Sequence, residues 1–587
     1  MTEPAWRQRF RAPRFTAPQW ARDVPERMVY GSNHEGTFEV YAFDWRDGVE
    51  RRLTSRPAGT GFRVPSRITP DGSSVWWWDD AGGSEFGIWR TQPFGGGEAR
   101  LATGLAPAYS AWTALGRGFA VVGRSTDAEG TTIDLVRDGS TQRLYAHRES
   151  AHVGALSRDE TLLSMSHSEH GDARNPAVRV VDLSGAIVAE LWDGPGRGLE
   201  PGRWSPVAGD QRLIVQHDRG GARRPLVFDA AARAERELPI DLPGEVDADW
   251  YPDARALLLR HEHRGRGELY RYLLDEGSLA RLPTPPGSID WAAVRPKGTV
   301  WYSLSTSTAP RVVGTVDGGH VLPRTKIDIP AGRPYRDVDV SGVHGFVVEP
   351  AGARPHPTIF IIHGGPTAHD NDAFSATVQA WVDHGYCVAM VNYRGSTGYG
   401  KAWRDAIKGK PGLTELEDIA RVHDRLITDG IADPKRTILS GGSWGGYLTL
   451  LGLGTQPERW GLGIGGVPIG DYVAAFEDEM EPLKRYDAAL FGGTPAQVPE
   501  VYRERNPITF VDRVRVPAML LVGRNDPRCP ARSVDLYVER LRALGKTFEL
   551  YEYEAGHGSL KLEEQLGQLE RQLAFAARHL GTTPPLS

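Results

Sequence analysis

A tight turn followed by a short apolar strand recurs between residues 26 and 325 of this 587-residue chain. The clearest turns lie at Pro70, Arg158, Pro206, Pro252 and Pro296, at intervals of 88, 48, 46 and 44 residues. Each turn leads into a second strand, another turn and a short third strand. Three or four short strands per period of about 45 residues are typical of β-propeller blades. Weaker units near Val29 and Ala111 bring the predicted number of blades to about seven.

The pattern changes at about residue 326, where buried strand-like runs begin to alternate with amphipathic helical patterns. The strand-like runs are 358–365, 387–395, 437–446 and 518–526, and the helical patterns are 413–430, 531–545 and 560–580. Such alternation predicts a parallel sheet covered by helices, because parallel strands need crossover connections. Functional residues are then expected at the carboxyl ends of the strands.

Composition and charge narrow the class of protein and of partner. The net charge is -6 without long runs of one sign, which argues against nucleic-acid binding. The two cysteines, Cys387 and Cys529, cannot form a disulfide framework, so we expect free thiols in a reducing compartment, with a single bridge left open. The N-terminus lacks an apolar signal core and no run is long enough to span a membrane. We expect a cytoplasmic protein without a membrane partner, and leave open whether it is a homo-oligomer.

The segment Gly441–Gly446 reads GGSWGG and fits the G-x-S-x-G nucleophile elbow. It follows a strand-like run and precedes a helical run, as an elbow requires, with Ser443 at its centre. Glycines are needed there because the strained turn leaves no room for neighbouring side chains. A serine hydroxyl needs a positioned base, and that base needs an acid to hold its tautomer.

The predicted acid and base lie downstream, in strand-end loops. Asp526 ends a strand-like run and His557 follows another, so the order Ser443, Asp526, His557 is that of α/β-hydrolases. The oxyanion of an acyl-transfer reaction needs two fixed donors. We assign these to the backbone N–H groups of Trp444 and of Gly365, which lies in an HGGP segment of the HGGG type.

Five motifs together resemble the prolyl oligopeptidase family of serine peptidases. They are HGGP, NYRGSTGYG at 392–400, DPKR at 433–436, GGSWGGY, and the late Asp and GHG. The HGGP segment is similar to the acylaminoacyl-peptidase and aminopeptidase branch, which includes puromycin-hydrolase-type enzymes. The resemblance implies a β-propeller followed by an α/β-hydrolase domain, and the repeat units counted above give the propeller about seven blades. The expected boundaries are an N-terminal extension at 1–25 packing on the hydrolase domain, the propeller at 26–325 and the catalytic domain at 326–587.

The same resemblance suggests residues that bind substrate. Arg528, two residues after the acid, is expected to bind a substrate carbonyl or carboxylate. Glu169 is expected to pair with the substrate's free α-amine, with His167 orienting it. The pocket walls are expected to be Trp444, Val467, Tyr472 and Phe476.

Two rival features carry less weight. The acidic segment Glu477–Glu479 could supply the charge for the amine, although a solvated helix face explains it as well. His261 and His263 would share one face of a strand, but no third ligand lies nearby in sequence. We therefore expect no metal and no cofactor.

These residues together predict a serine exopeptidase that releases N-terminal residues from short peptides or aminoacyl amides. An acylaminoacyl peptidase acting on N-blocked peptides is the nearest alternative. A carboxylesterase is the second, because the same triad hydrolyses esters.

Overall fold

The computed structural model describes residues 3–322 and 328–582, and up to residue 315 its regular structure is almost entirely antiparallel strand. Strands β1 to β12 are Gln19–Trp20, Arg27–Ser32, Glu39–Asp44, Val49–Arg52, Arg67–Ile68, Ser74–Asp80, Phe86–Pro93, Arg100–Leu101, Ala108–Gly116, Phe119–Thr126, Gly130–Arg137 and Ser140–His147. Strands β13 to β27 are Ala151–Leu156, Leu162–His167, Ala177–Asp182, Ile187–Leu191, Leu199–Trp204, Arg212–His217, Arg224–Asp229, Ala234–Glu237, Glu245–Trp250, Ala256–His263, Arg266–Leu273, Ser278–Arg281, Ala292–Val294, Val300–Thr306 and Ala309–Thr315.

The propeller strands pair mainly with their neighbours in sequence. Four sheets have four strands each: β1–β4, β13–β16, β17–β20 and β21–β24. Strands β5–β12 form one eight-stranded sheet, because β7 also pairs with β9 through Phe86 opposite Tyr109. Strands β25–β27 form a three-stranded sheet.

The expectation of about seven blades is therefore corrected to five sheets of four or more strands. The pairing of β7 with β9 merges two of the predicted units into one sheet. In the last unit, the fourth strand is reduced within the described residues to one bridge between Gly314 and His320. A period in the sequence reports the repeating unit, whereas pairing between units depends on tertiary contacts.

Apolar clusters lie between neighbouring sheets, and one of them closes the ring. Tyr30 and Phe43 of the first sheet pack with Trp301 and Val313 of the last. These side chains are nearly fully buried, so closure removes apolar area from water. It also covers a sheet face that would otherwise remain exposed.

The C-terminal half is a single eight-stranded sheet covered by helices. Strands β28 to β35 are Arg336–Val340, Val343–Val348, His356–Ile362, Cys387–Asn392, Ala432–Gly442, Leu462–Gly466, Ala518–Gly523 and Phe548–Tyr553. Helices α1 to α10 are Ala5–Phe10, Ala376–Asp383, Lys401–Asp405, Leu413–Thr428, Trp444–Thr455, Tyr472–Asp478, Glu481–Phe491, Pro499–Arg505, Ala531–Ala543 and Leu562–Leu580, with a 3-10 helix at Pro507–Arg513. The sheet order is β28-β29-β31-β30-β32-β33-β34-β35, and from β31 to β35 all neighbours are parallel.

The N-terminal helix α1 lies on the catalytic domain. Trp6 is buried, with its ring 5.5 Å from that of His384 just after α2. Arg7 forms an ion pair with Glu570 of α10, and Arg9 donates to Asp383 at the end of α2. None of the described helices combines the length and the apolarity that crossing a membrane would require.

Candidate active site

The predicted strand–turn–helix arrangement around Ser443 is confirmed. Strand β32 ends at Gly442 and helix α5 begins at Trp444, with Ser443 between them at φ 58° and ψ -121°. This left-handed conformation is costly for a residue other than glycine, so surrounding packing must hold it. A Cβ on Gly445 would lie 2.1 Å from the carbonyl oxygen of Ile362, which explains why the turn needs glycine there.

The predicted acid and base meet at the carboxyl edge of the sheet. Asp526 follows β34 and His557 follows β35, and Nδ1 of His557 lies 2.7 Å from Oδ2 of Asp526. The other carboxylate oxygen, Oδ1, accepts the backbone N–H groups of Arg528 at 2.8 Å and Cys529 at 3.0 Å. Asp526 is buried, so these bonds fix the carboxylate that orients the imidazole.

Ser443 reaches this pair through a cysteine. Its Oγ lies 3.9 Å from Sγ of Cys529, and the donor atoms of Asp526, Cys529 and His557 lie within 4.8 Å of one another. Burial raises the pKa of the Cys529 thiol well above its usual range, so the thiol is neutral. The hydroxyl thus contacts the thiol here, and catalytic hydrogen bonds often form fully only when substrate is bound.

Asp526, Cys529 and His557 are also, over 3–322 and 328–582, the one set of three acidic, His or Cys donors close enough to hold a metal ion. Zinc accepts such donors. Two of the three are already bonded to each other as acid and base. A metal there would compete with that hydrogen bond.

The HGGP loop follows β30 and lies against the nucleophile. A Cβ on Gly364 would be 3.2 Å from Cβ of Ser443. Tyr393 donates to the carbonyl of His363 at 2.9 Å, and the His363 ring contacts the carbonyl of Gly364 and Oγ of Ser396. Burial lowers the pKa of His363 to about 4, so its ring is neutral.

Of the two predicted oxyanion donors, Trp444 directly follows Ser443 in sequence, and Gly365 belongs to the HGGP loop that lies against Ser443. The N–H of Trp444 opens α5, and the first N–H groups of a helix have no intrahelical acceptor. Gly365 has φ 131°, and in the part of the chain that the structure describes its N–H has no hydrogen-bond acceptor. Both groups remain predictions as oxyanion donors.

Two propeller segments contact the loops that carry Asp526 and His557. Arg63 donates to the backbone carbonyl of His557. A Cβ on Gly556 would lie only 1.9 Å from the carbonyl oxygen of Gly83, so the two backbones touch. The propeller therefore helps to position the predicted base, which sequence reasoning missed because no local motif marks either segment.

Arg528 has a partner within the chain, and its expected role in binding substrate stays a prediction. Its Nε and Nη2 each lie 2.7 Å from a carboxylate oxygen of Glu85, at the turn between β6 and β7. A bidentate pair of this kind occupies the fork that would bind a substrate carboxylate. Arg528 thus ties the acid's loop to the propeller.

The residues of the expected amine anchor, Glu169 and His167, also have partners within the chain, and their expected role stays a prediction. Both oxygens of Glu169 accept from Arg179, at 2.7 and 3.0 Å, and this partner helps to lower the pKa of Glu169 to about 2 against the effect of burial. His167 is fully buried, with Nε2 2.6 Å from Glu190. Glu169 already has a cationic partner, and neither residue lines the large cavity described below.

The predicted pocket walls are dispersed. Trp444 and Tyr472 are buried in the core, where Nε1 of Trp444 donates to Glu415 at 3.3 Å and the Tyr472 hydroxyl to Asp487 at 2.7 Å. Val467 packs against a buried apolar cluster that includes Ile464 and Leu521. Phe476 lines a separate surface cavity of about 670 Å³. Of the rival acidic segment, Glu477 and Asp478 pair with Arg532, and Glu479 is buried.

A cavity of about 620 Å³ lies between the propeller and the catalytic domain. Its charged and polar lining includes Arg174, Arg223, Glu245, Thr367, Lys401 and Tyr486. Thr367 directly follows the HGGP segment, so that motif could have indicated it. The others come from distant parts of the chain and carried no sequence signal. The cavity is in the size range of small-ligand sites.

The Prolyl oligopeptidase family model matches residues 372–583. Dipeptidyl peptidase family member 6 of Caenorhabditis elegans is 33% identical over 242 residues, which is 39% of this chain and 32% of that protein. The acylamino-acid-releasing enzyme of Arabidopsis thaliana is 30% identical over 203 residues, 32% of this chain and 26% of that protein. The matched part thus spans about a third or less of each relative's own length.

Solved structures resemble the whole chain at lower sequence identity. A puromycin hydrolase superposes with a TM-score of 0.82 at 22% identity, covering 99% of this chain and 97% of its own. The acylaminoacyl peptidase of Pyrococcus horikoshii gives 0.71 at 16% identity, covering 97% and 96%. These likenesses establish a β-propeller followed by an α/β-hydrolase domain. The C-terminal domain of this chain, at residues 372–583, is similar to the prolyl oligopeptidase family.

Proposed function

We propose that this chain is a serine exopeptidase that releases N-terminal residues from short peptides or aminoacyl amides. Oγ of Ser443 turns from Cys529 toward His557 and attacks the scissile carbonyl, while Nε2 of His557 takes its proton. Asp526 holds the imidazole through Nδ1 and stabilises its protonated form. The N–H groups of Gly365 and Trp444 bind the oxyanion.

The tetrahedral intermediate formed by this attack breaks down to an acyl-enzyme, which is then hydrolysed. His557 gives its proton to the leaving nitrogen, and the C–N bond breaks to leave an acyl ester on Ser443. Water attacks this ester with His557 again as base; His557 then returns the proton to Oγ of Ser443 as the ester C–O bond breaks, and the free acid departs. The observation that carries the proposal is the 2.7 Å bond between Asp526 and His557 beside an elbow serine in a matched family domain.

The substrate class is supported by the relatives' names and by the cavity. Curated relatives include a dipeptidyl aminopeptidase and acylamino-acid-releasing enzymes, and a similar structure is a puromycin hydrolase. A space of about 620 Å³ between two domains favours short peptides over folded proteins. Glu245 lines this space and, among the residues described, has no cation within 4 Å, so we assign to it the pairing with a substrate amine.

Glu169 already pairs with Arg179, and this favours one alternative function. The alternative is an acylaminoacyl peptidase, which needs no carboxylate to bind a substrate amine. The test compares leucine p-nitroanilide, its N-acetyl counterpart and p-nitrophenyl butyrate, with wild type, Ser443→Ala and Glu245→Gln. We expect the free-amine anilide to be preferred, Ser443→Ala to abolish turnover, and Glu245→Gln to raise KM for the free amine alone. Preference for the acetylated anilide would establish the alternative, and turnover of the ester alone would establish a carboxylesterase.

A further inference from the structure

Arg174 stands out among the cations that line the large cavity. It lies in the loop between β14 and β15, and its side chain is 4% exposed. Among the residues that the structure describes, its Nε and Nη1 are buried without a hydrogen-bond partner, and Nη2 reaches Asp405 only at 3.4 Å. A buried guanidinium with two unpaired nitrogens is costly, because its lost hydration is not replaced.

The charges around Arg174 do not balance. Lys401 and Arg404 lie 2.7 and 2.9 Å from Asp218, and Arg404 is also 2.9 Å from Asp405. Arg174, Lys401 and Arg404 therefore share two carboxylates, Asp218 and Asp405, which leaves one positive charge in excess. A neutral carbonyl would satisfy the N–H groups of Arg174 without removing this excess, whereas an anion would do both.

Arg174 is connected through Tyr486 to the segment that follows the HGGP loop. Its guanidinium carbon lies 5.7 Å from the centre of the Tyr486 ring. The Tyr486 hydroxyl is 3.2 Å from Oγ1 of Thr367, two residues after Gly365. Thr367 lines the cavity together with Arg174, and three residues before it a Cβ on Gly364 would lie 3.2 Å from Cβ of Ser443.

We propose that Arg174 binds the C-terminal carboxylate of a short peptide substrate, and so makes the chain selective for peptides with a free carboxyl end. A guanidinium is suited to this because its planar donors match a carboxylate. The inference rests on the proposed function and names its substrate class more closely. With Glu245 on the same cavity, both ends of a short peptide would be held.

The experiment compares Leu-Gly-Gly with its C-terminal amide, which differ only in the carboxylate. We expect wild type to hydrolyse the acid with a kcat/KM about 10- to 100-fold higher, mainly through KM. Arg174→Met should remove this ratio, and Arg174→Lys should keep part of it. Leucine p-nitroanilide, which carries no carboxylate, should lose much less activity in Arg174→Met than the acid does.

Arg223→Met is the matched control. Arg223 lines the same cavity but is paired with Glu200 at 2.7 Å and Asp247 at 2.8 Å, so the acid-to-amide ratio should stay at the wild-type value. Equal hydrolysis of acid and amide by wild type would overturn the inference, as would an equal loss for both in Arg174→Met. Failure of wild type to cleave the anilide or either peptide would instead overturn the proposed function.

Product inhibition of wild type gives a test that needs no variant. Gly-Gly should inhibit anilide hydrolysis at least about tenfold more strongly than Gly-Gly-amide. Equal inhibition by the two would contradict the proposal even if Arg174→Met failed to fold.

Discussion

Ser443 holds a backbone conformation that L-residues rarely adopt, and tight packing maintains it. Its N–H donates to the carbonyl of Gly466 on the neighbouring strand β33. Together with the glycines on either side, this bond presents the side chain above the sheet edge instead of within the core. The thiol of Cys529 at 3.9 Å keeps the space next to Oγ apolar and uncharged, since burial holds that thiol protonated.

His423 on α4 provides a pH test far from this edge. It is 3% exposed, between the rings of Phe360 and Trp460, and burial lowers its pKa to about 4. The unfolded chain takes up this proton near its ordinary pKa of 6.5, so stability is lost as the pH falls from about 6.5 toward 4. Between pH 7 and 5 this residue should cost about 2 kcal/mol.

Thermal unfolding midpoints at pH 7 and 5 check this prediction. His423→Gln, which cannot titrate, should show a smaller fall between the two pH values than wild type. His579→Gln, at an exposed position on α10, is the control and should match wild type. An unchanged fall in His423→Gln would contradict the assignment.

Residue roles that depend on chain order and local context could be predicted, and roles that depend on distant partners could not. The elbow turn at Ser443 and the contact between Asp526 and His557 follow from strand-end positions along the sequence. The partner of Arg528 could not be predicted, because Glu85 lies 443 residues away. The partner of Glu169 could not be predicted, because the strand pairing that supplies Arg179 was not known.

At the scale of elements, the loop that carries His557 is fitted against the turn between β6 and β7. We predict that Gly556→Ala lowers kcat/KM by about 100-fold, because a Cβ at 1.9 Å from the carbonyl of Gly83 must displace the loop. Gly567→Ala is the matched control, since a Cβ there would meet no atom of the described residues within 4 Å and the residue lies inside α10. It should leave activity intact and stabilise the helix by about 1 kcal/mol. Equal activity of the two variants, measured by anilide hydrolysis and thermal unfolding, would contradict the contact.

Elements with a strong hydrophobic period were predicted, and those without one were missed. The amphipathic pattern at 413–430 is α4, Leu413–Thr428, and the pattern at 531–545 is α9, Ala531–Ala543. Strand β33 reads LGIGG and was not predicted, because its glycines supply no apolar side chains that would mark a strand. Glycine suits this strand because a Cβ on Gly463 would lie 2.5 Å from Leu453 of α5.

At the scale of the molecule, the two domains are joined by ion pairs around the cavity and by the contacts on the catalytic loops. Lys401 pairs with Asp218 and Arg266 with Asp372, each across the domain boundary. The contact of Arg63 with His557 means that the predicted base is positioned by both domains at once. The propeller thus lines one side of the cavity and contacts the loop of the predicted base.

We propose that Ser443, His557 and Asp526 act together as a nucleophilic triad in the folded protein. The most direct measurement is labelling of the intact protein with a fluorophosphonate probe, followed by mass spectrometry of the tryptic peptides. We predict one adduct, on Ser443, absent in Ser443→Ala and formed at least about 100-fold more slowly in His557→Asn. No adduct on the folded wild type, or an adduct on a residue other than Ser443, would contradict the account.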